Sequence, residues 1–153
     1  RLGYIAAHAT IAKACEKLQG QFTSGANSVT QRAAIVAMNG SLKPTTEMVA
    51  EFARRRAHVL TLIASIPGIT CFAPEGAFYT FPDVSSYFGK RYGDTTIESA
   101  EDLCMFLLHT AHVSTVTGKA FGEPNCIRLS FANSMEKIEE GYRRIKTALA
   151  LLQ

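Results

Sequence analysis

The sequence predicts an α+β fold in which a small sheet is covered by helices on one face. Two observations predict it. Apolar residues recur at helical spacing through much of the stretch from residue 10 to residue 67, which indicates a series of helices. From Ile69 onward, short runs rich in β-branched and aromatic residues alternate with helical segments in the order β-β-α-β-β-α. A small antiparallel or mixed sheet with helices packed on one face is the natural arrangement for that order.

Neither composition nor charge indicates a nucleic acid, a metal or a membrane as a partner. The chain has 153 residues, of which 47% are hydrophobic and 19% charged, so it can form an ordinary globular core. Its net charge of +3 is small and scattered, unlike the basic patch of a nucleic-acid-binding protein. The four cysteines lack zinc-ligand spacing, which favours free thiols in a reducing cytoplasm. No apolar run is long enough to span a membrane.

Residues 1–40 contain one predicted strand and two predicted helices, which are too few elements to bury a core alone. The strand covers residues 2–7, and the first helix runs from about Thr10 to Gly20. Ser28 could cap the second helix, which should stop at Asn39-Gly40. Because the chain begins without methionine inside a predicted strand, we expect residues 1–40 to be the end of a larger domain.

Residues 41–153 are expected to form a second domain that begins with a long helix. Pro44 suits the first turn of this helix, and Pro67-Gly68 should end it. A helix of roughly 22 residues would span about 33 Å. That length suits a helix that connects two domains, although a plain surface helix is the alternative.

The remainder of the second domain is predicted to consist of short strands and two helices. Ser99 and Asp102 form a capping-box pattern at the start of the first helix, and Asn133 and Glu136 do the same for the second. The predicted strands cover residues 69–72, 77–81, 113–116 and 125–132, and a long loop covers residues 82–96.

The strand at residues 125–132 carries the main candidate for a binding residue. Ile127, Leu129 and Phe131 alternate with Cys126, Arg128 and Ser130, so Arg128 should lie on the face opposite the apolar residues. An unpaired guanidinium in such a strand is costly, and its planar fork matches a carboxylate or a phosphate. The partner could be a ligand, or a distant Asp or Glu of the same chain.

Four segments carry a resemblance to a known family: residues 1–4 (RLGY), 74–79 (PEGAFY), 118–122 (GKAFG) and 127–132 (IRLSFA). In this order and spacing they resemble the C-terminal half of the class I, fold-type I pyridoxal-phosphate aminotransferases, and most closely the bacterial aspartate aminotransferases. The resemblance implies that residues 1–40 are the last strand and helices of the large, cofactor-binding domain. It also implies that residues 41–153 are the small C-terminal domain.

The resemblance also implies roles for individual residues. Arg128 matches the arginine that binds the substrate α-carboxylate, and Phe78 matches a residue that lines the substrate pocket. Arg1 matches the arginine that binds the phosphate of pyridoxal 5'-phosphate. Ser24 lies in a segment that resembles the loop reaching the partner subunit's active site, which implies a homodimer.

The family's lysine that forms a Schiff base with the cofactor would precede Arg1. Lys119 matches no cofactor lysine and is interpreted as a solvated turn residue. The resemblance therefore implies that the complete protein is an aminotransferase acting on an acidic amino acid and a 2-oxo acid. We expect this chain alone to contain no catalytic residue and to be inactive.

Two other functions remain open at the level of sequence. Enzymes with the same architecture and cofactor catalyse other reactions of amino acids, and a carboxylate clamp does not distinguish among them. Alternatively, the chain could be a non-catalytic α+β module that binds a small anion or a protein through Arg128.

Overall fold

The computed structural model describes residues 2–153, and these fall into two compact units. One unit ends at Thr46, and the other covers Glu47–Gln153. The proposed division into a large and a small domain at residue 40 remains a prediction. The mixed α+β class, however, is confirmed by five α-helices and several short strands among the described residues.

The first unit contains two helices, α1 (Ala9–Phe22) and α2 (Ser28–Asn39), and none of the described residues up to Thr46 is buried. The strand predicted at residues 2–7 is wrong, because these residues have no regular structure and pair with no other described segment. The N-cap of α2 is Asn27 rather than Ser28. Its side-chain oxygen accepts hydrogen bonds from the backbone N–H groups of Val29 and Thr30.

Helix α3 (Lys43–Ala64) has 22 residues, as predicted, with Pro44 in its first turn. The apolar residues at helical spacing along it are buried only toward the C-terminal end. Val59 and Ile63 belong to the core of the second unit and Phe52 packs against that core, whereas Met48 is 54% exposed.

The second unit has a three-stranded antiparallel sheet formed by β1 (Tyr79–Thr80), β4 (Val116–Thr117) and β5 (Ile127–Ser130). The strand order is β1-β5-β4, so β5 is central. In the register, Tyr79 is opposite Ser130, and Val116 is opposite Arg128. The sheet therefore places Arg128 between two neighbouring strands.

Two predictions on either side of β1 need correction. The strand predicted at residues 69–72 is reduced to one antiparallel bridge between Thr70 and Asp83. The predicted loop at residues 82–96 contains a short 3₁₀ helix and a hairpin of β2 (Arg91–Tyr92) and β3 (Thr95–Thr96). Gly93, with a φ of 56°, supplies the left-handed backbone that the tight turn between them requires.

Helix α4 (Ala100–Phe106) begins with the predicted capping box. The Ser99 hydroxyl accepts a hydrogen bond from the Asp102 N–H, and the Asp102 carboxylate accepts one from the Glu98 N–H. The helix continues as a π-helical turn, Leu107–Ala111, and ends at His112, whose φ is 54°. No sequence pattern had indicated this widened turn.

Helix α5 (Met135–Leu149) buries an apolar stripe that includes Ile138, Tyr142 and Ile145, and it is capped by Ser134 rather than by the predicted Asn133. The core lies between the sheet and the helices α3, α4 and α5. Its members include Val59, Leu103, Leu107, Ile127, Phe131, Ile138 and Ile145. The four cysteines are free, and none is fully buried. Among the described helices, none has the length and apolar character needed to cross a bilayer.

Candidate functional site

Arg128 lies on the face of β5 that the alternation predicts. Ile127, Leu129 and Phe131 are at most 9% exposed, whereas Arg128 is half-buried and Ser130 is exposed. One face of the strand thus faces the core, and the other presents the guanidinium.

The guanidinium of Arg128 is surrounded by aromatic rings rather than by acids. Its central carbon lies 4.6 Å from the ring centroid of Tyr79 and 4.6 Å from that of Phe121. Within residues 2–153, no carboxylate forms an ion pair with it and no acceptor forms a hydrogen bond with its side chain. The planar edge of N–H donors is therefore available to an anionic ligand.

Strand pairing explains why Tyr79 meets Arg128. Tyr79 is opposite Ser130, and Ser130 and Arg128 lie on the same face of β5 because they are two residues apart. Diagonal neighbours of this kind are within reach of aromatic and long side chains.

Phe121 reaches Arg128 from the other side of β5, by way of the turn that follows β4. This turn is a 3₁₀ helix, Gly118–Phe121, which packs tightly on the neighbouring backbone. A Cβ atom at Gly118 would lie only 2.6 Å from the Cys126 carbonyl oxygen and 2.9 Å from the ring of Phe81. The absence of a side chain at Gly118 therefore allows the turn that carries Phe121 to lie against β5.

Phe78 lies next to this cluster. Its ring centroid is 4.6 Å from that of Tyr79 and 6.0 Å from that of Phe52 on α3. Its carbonyl oxygen accepts a hydrogen bond from the Phe131 N–H at 2.9 Å, which fixes the backbone beside β5. Phe78 and Arg128 thus both contact the Tyr79 ring, and Phe78 is still 40% exposed.

The other two predicted site residues, Ser24 and Arg1, belong to a different part of the chain. Ser24 is exposed in the turn between α1 and α2, with a φ of 61°, and it belongs to the first unit. Arg1 lies outside the described residues. Their roles remain predictions.

Arg128 differs from four arginines of α3 and α5. Glu51 binds Arg54 and Arg55, and Glu140 binds Arg143 and Arg144, at distances of 2.7–2.9 Å. Hydrogen bonds from these guanidinium groups lower the pKa of Glu51 and of Glu140 to about 2. Those four arginines are engaged with acids of their own helices.

The cavity next to Phe81 does not fit a phosphate-bearing cofactor. Lys119, in the turn after β4, is exposed. A cavity of about 430 Å³ next to Phe81 is lined by Asp83, Glu123 and Cys126 among others, and no lysine or arginine is among its lining residues. Because these carboxylates would repel a phosphate, this cavity does not suit the phosphate of such a cofactor.

Comparison with known proteins identifies the family. A family model described as "Aminotransferase class I and II" matches residues 1–145. The chain belongs to the class I and II aminotransferases. The aminotransferases of this family are pyridoxal-phosphate enzymes. The resemblance inferred from the four sequence segments is therefore confirmed.

Relatives of this aminotransferase chain match nearly all of it. A bifunctional aspartate aminotransferase and glutamate/aspartate-prephenate aminotransferase from Petunia hybrida is 42% identical, over 100% of this chain and 33% of its own length. An aspartate/prephenate aminotransferase from Nitrosomonas europaea is 37% identical, over 98% of this chain and 38% of its own length. This chain thus spans about a third of the length of such relatives.

Solved structures show the same relationship. The crystal structure of an aspartate aminotransferase from Rhizobium meliloti matches with a TM-score of 0.85 and 37% identity, over 94% of this chain and 36% of that one. An aromatic aminotransferase from Pyrococcus horikoshii matches with a TM-score of 0.80 and 29% identity, over 95% of this chain and 37% of that one. The fold class is therefore that of the C-terminal part of an aminotransferase.

The sequence had not indicated Tyr79 or Phe121 as partners of Arg128. The position of Tyr79 in a strand rich in β-formers was a usable signal, but its partner strand and register were unknown. Phe121 lies in a turn, where no periodicity indicates which way a side chain points.

Proposed function

We propose that this chain is the C-terminal part of an aminotransferase that acts on aspartate and 2-oxoglutarate. The observation that carries the proposal is the guanidinium of Arg128, which has two aromatic neighbours and no acidic partner among residues 2–153. The aspartate aminotransferases among its relatives support the substrate class.

In this proposal Arg128 binds the α-carboxylate that amino-acid and 2-oxo-acid substrates share. Two parallel N–H···O hydrogen bonds from one guanidinium fix both the position and the orientation of a carboxylate. Orientation matters because transfer of an amino group requires the reacting carbon to be held against the cofactor. Phe78, half-exposed beside Tyr79, would line the pocket next to the bound carboxylate.

The remaining site assignments rest on the family resemblance alone. Arg1 would bind the cofactor phosphate, and Ser24 would lie in the loop that reaches the cofactor in a homodimer. The complete protein would be cytoplasmic. Pyridoxal 5'-phosphate would supply the electron sink for amino-group transfer, held by a lysine that this chain does not contain.

The proposal is tested by assaying the complete polypeptide that contains this chain for transfer of the amino group from aspartate to 2-oxoglutarate. Arg128→Lys keeps the charge but loses the bidentate fork, so kcat/KM should fall about 10²-fold for both substrates. Steady-state kinetics with each substrate varied in turn measures this effect.

Arg91→Lys provides a matched control, because Arg91 is an exposed arginine on the β2–β3 hairpin. This variant should retain the wild-type kinetics, and the 153-residue chain alone should catalyse no transfer. Wild-type kcat/KM values in Arg128→Lys would refute the carboxylate clamp. A complete polypeptide that prefers a different amino donor would refute the substrate class while leaving the clamp intact.

A further inference from the structure

We propose that Tyr79 and Phe121 are positioning residues for Arg128, holding its guanidinium so that only the N–H edge faces the substrate carboxylate. This inference rests on the proposed function and adds two residues to it. It concerns residues that act on the substrate through Arg128 rather than by touching the reacting atoms.

The two rings come from elements on the two sides of the central strand, β5. Tyr79 comes from β1, and Phe121 comes from the turn that follows β4. Each ring centroid lies 4.6 Å from the central carbon of the guanidinium, well inside the distance at which a cation is attracted to an aromatic face. Both contacts therefore act on the same group at the same distance.

Stacking on rings suits a guanidinium that must also bind a carboxylate. When a guanidinium stacks on a ring, its π-face contacts the ring, while its N–H donors lie in the plane and remain available. A ring, unlike an acid, does not compete with the substrate for those donors. Arg128 can therefore be held in one place without being neutralised.

Fixing the side chain in advance favours substrate binding. A free arginine loses rotamer freedom when it binds a carboxylate, and that loss weakens the affinity. If the rings restrict the side chain beforehand, less freedom is lost on binding. Removing a ring should thus weaken binding of every substrate that uses the clamp.

Both rings also have neighbours that support them. The Phe121 ring packs edge-on against Phe81, with centroids 6.1 Å apart and planes at 87°. Tyr79 contacts the ring of Phe78 at 4.6 Å. Phe121 is 51% exposed, so replacing it should not open a cavity in the core.

The test uses Tyr79→Leu and Phe121→Leu in the complete polypeptide. Each variant should raise KM for both the amino acid and the 2-oxo acid by about three- to tenfold, with a smaller effect on kcat. Tyr79→Phe keeps the ring and should recover most of the affinity that Tyr79→Leu loses. Tyr92→Leu removes another exposed aromatic, 46% exposed on the hairpin, and should leave KM unchanged.

A double-mutant cycle separates positioning from a general structural role. If the rings act through Arg128, their removal should have little further effect on KM in the Arg128→Lys background. Equal effects of Phe121→Leu in both backgrounds would refute the inference. If Arg128→Lys itself leaves KM unchanged, the proposed function is refuted. If Arg128→Lys raises KM but the ring variants do not, the clamp stands and the positioning role of the rings is refuted.

An NMR measurement on the 153-residue chain tests the contacts between the rings and Arg128 without a cofactor. Ring currents from both aromatic rings should shift the side-chain proton resonances of Arg128 upfield in the NMR spectrum. Phe121→Leu and Tyr79→Leu should each move these resonances toward their usual positions, whereas Tyr92→Leu should not. Resonances of Arg128 at ordinary positions in the unmodified chain would contradict the inference.

Discussion

The Tyr142 hydroxyl lies in the core of the second unit, 3.2 Å from the hydroxyl of Thr80. Thr80 is fully buried and Tyr142 is only 7% exposed. Because burial disfavours the charged phenolate, it raises the pKa of Tyr142 to about 12, and the hydrogen bond with Thr80 only partly offsets this effect. This pair joins α5 to β1, immediately next to Tyr79.

Linkage makes this burial a prediction about alkaline stability. The unfolded chain releases the phenolic proton near the ordinary pKa of 10, whereas the folded protein keeps it until about pH 12. The stabilisation is therefore complete below pH 10 and is lost as the pH rises through 12. The free energy of unfolding lost in this way is on the order of 2 kcal/mol. Urea unfolding at about pH 8 and about pH 11 measures the loss, and Tyr142→Phe should remove much of it.

Tyr92→Phe is the matched control, since it removes the hydroxyl of a tyrosine that is 46% exposed. It should leave the alkaline loss unchanged. Burial also raises the pKa of Tyr87, so part of the loss should persist in Tyr142→Phe. An alkaline loss as large in Tyr142→Phe as in the unmodified protein would contradict the expectation. At neutral pH, Tyr142→Phe should lower the free energy of unfolding by about 1 kcal/mol, because it removes the hydrogen bond to Thr80.

Among the elements, two glycines show how local packing decides the role of one residue type. Gly118 begins the turn that carries Phe121, and a Cβ there would approach two carbonyl oxygens and the ring of Phe81 too closely. Gly141 lies inside α5, and a Cβ there would meet no atom within 4 Å. Position 118 therefore has no room for a side chain, whereas position 141 has room, and its glycine only makes the helix less stable than alanine would.

Substitution of these two glycines by alanine should therefore change the free energy of unfolding in opposite directions. Gly141→Ala should raise the free energy of unfolding by about 0.5–1 kcal/mol, because alanine favours the helix. Gly118→Ala should lower it by about 2–3 kcal/mol, because the backbone contacts cannot yield easily. Urea unfolding measures both, and a neutral Gly118→Ala would show that the turn is less closely packed than the structure describes.

Other element boundaries show the limits of the sequence. The capping box of α4 was predicted correctly because Ser99 and Asp102 complete each other's hydrogen bonds locally. The caps of α2 and α5 were each wrong by one residue, since neighbouring polar residues, Asn27-Ser28 and Asn133-Ser134, can both accept the required hydrogen bond.

For the whole molecule, the contrast between the two units is the main physical feature. The second unit has a continuous core, whereas no described residue up to Thr46 is buried. Large apolar side chains of α1 and α2 are exposed, including Phe22 at 83% and Val36 at 73%. Helices of 14 and 12 residues without a packed apolar face are only marginally stable in water.

Hydrogen exchange should therefore distinguish the units in the 153-residue chain. Amides of α1 and α2 should exchange rapidly, while those of α5 should be strongly protected by the core. In the complete polypeptide proposed above, protection of α1 and α2 should increase, because the additional residues proposed there would cover their apolar residues. Strong protection of α1 and α2 in the chain alone would contradict this expectation.

By itself the sequence determined the helices, the face of β5 on which Arg128 lies and the aminotransferase family, because each depends on local periodicity or on short segments in order. Tertiary structure alone decided that residues 2–7 pair with no described strand and that Tyr79 and Phe121 surround Arg128. These features depend on strand pairing and turn geometry between segments far apart in the chain, which local residue patterns do not specify.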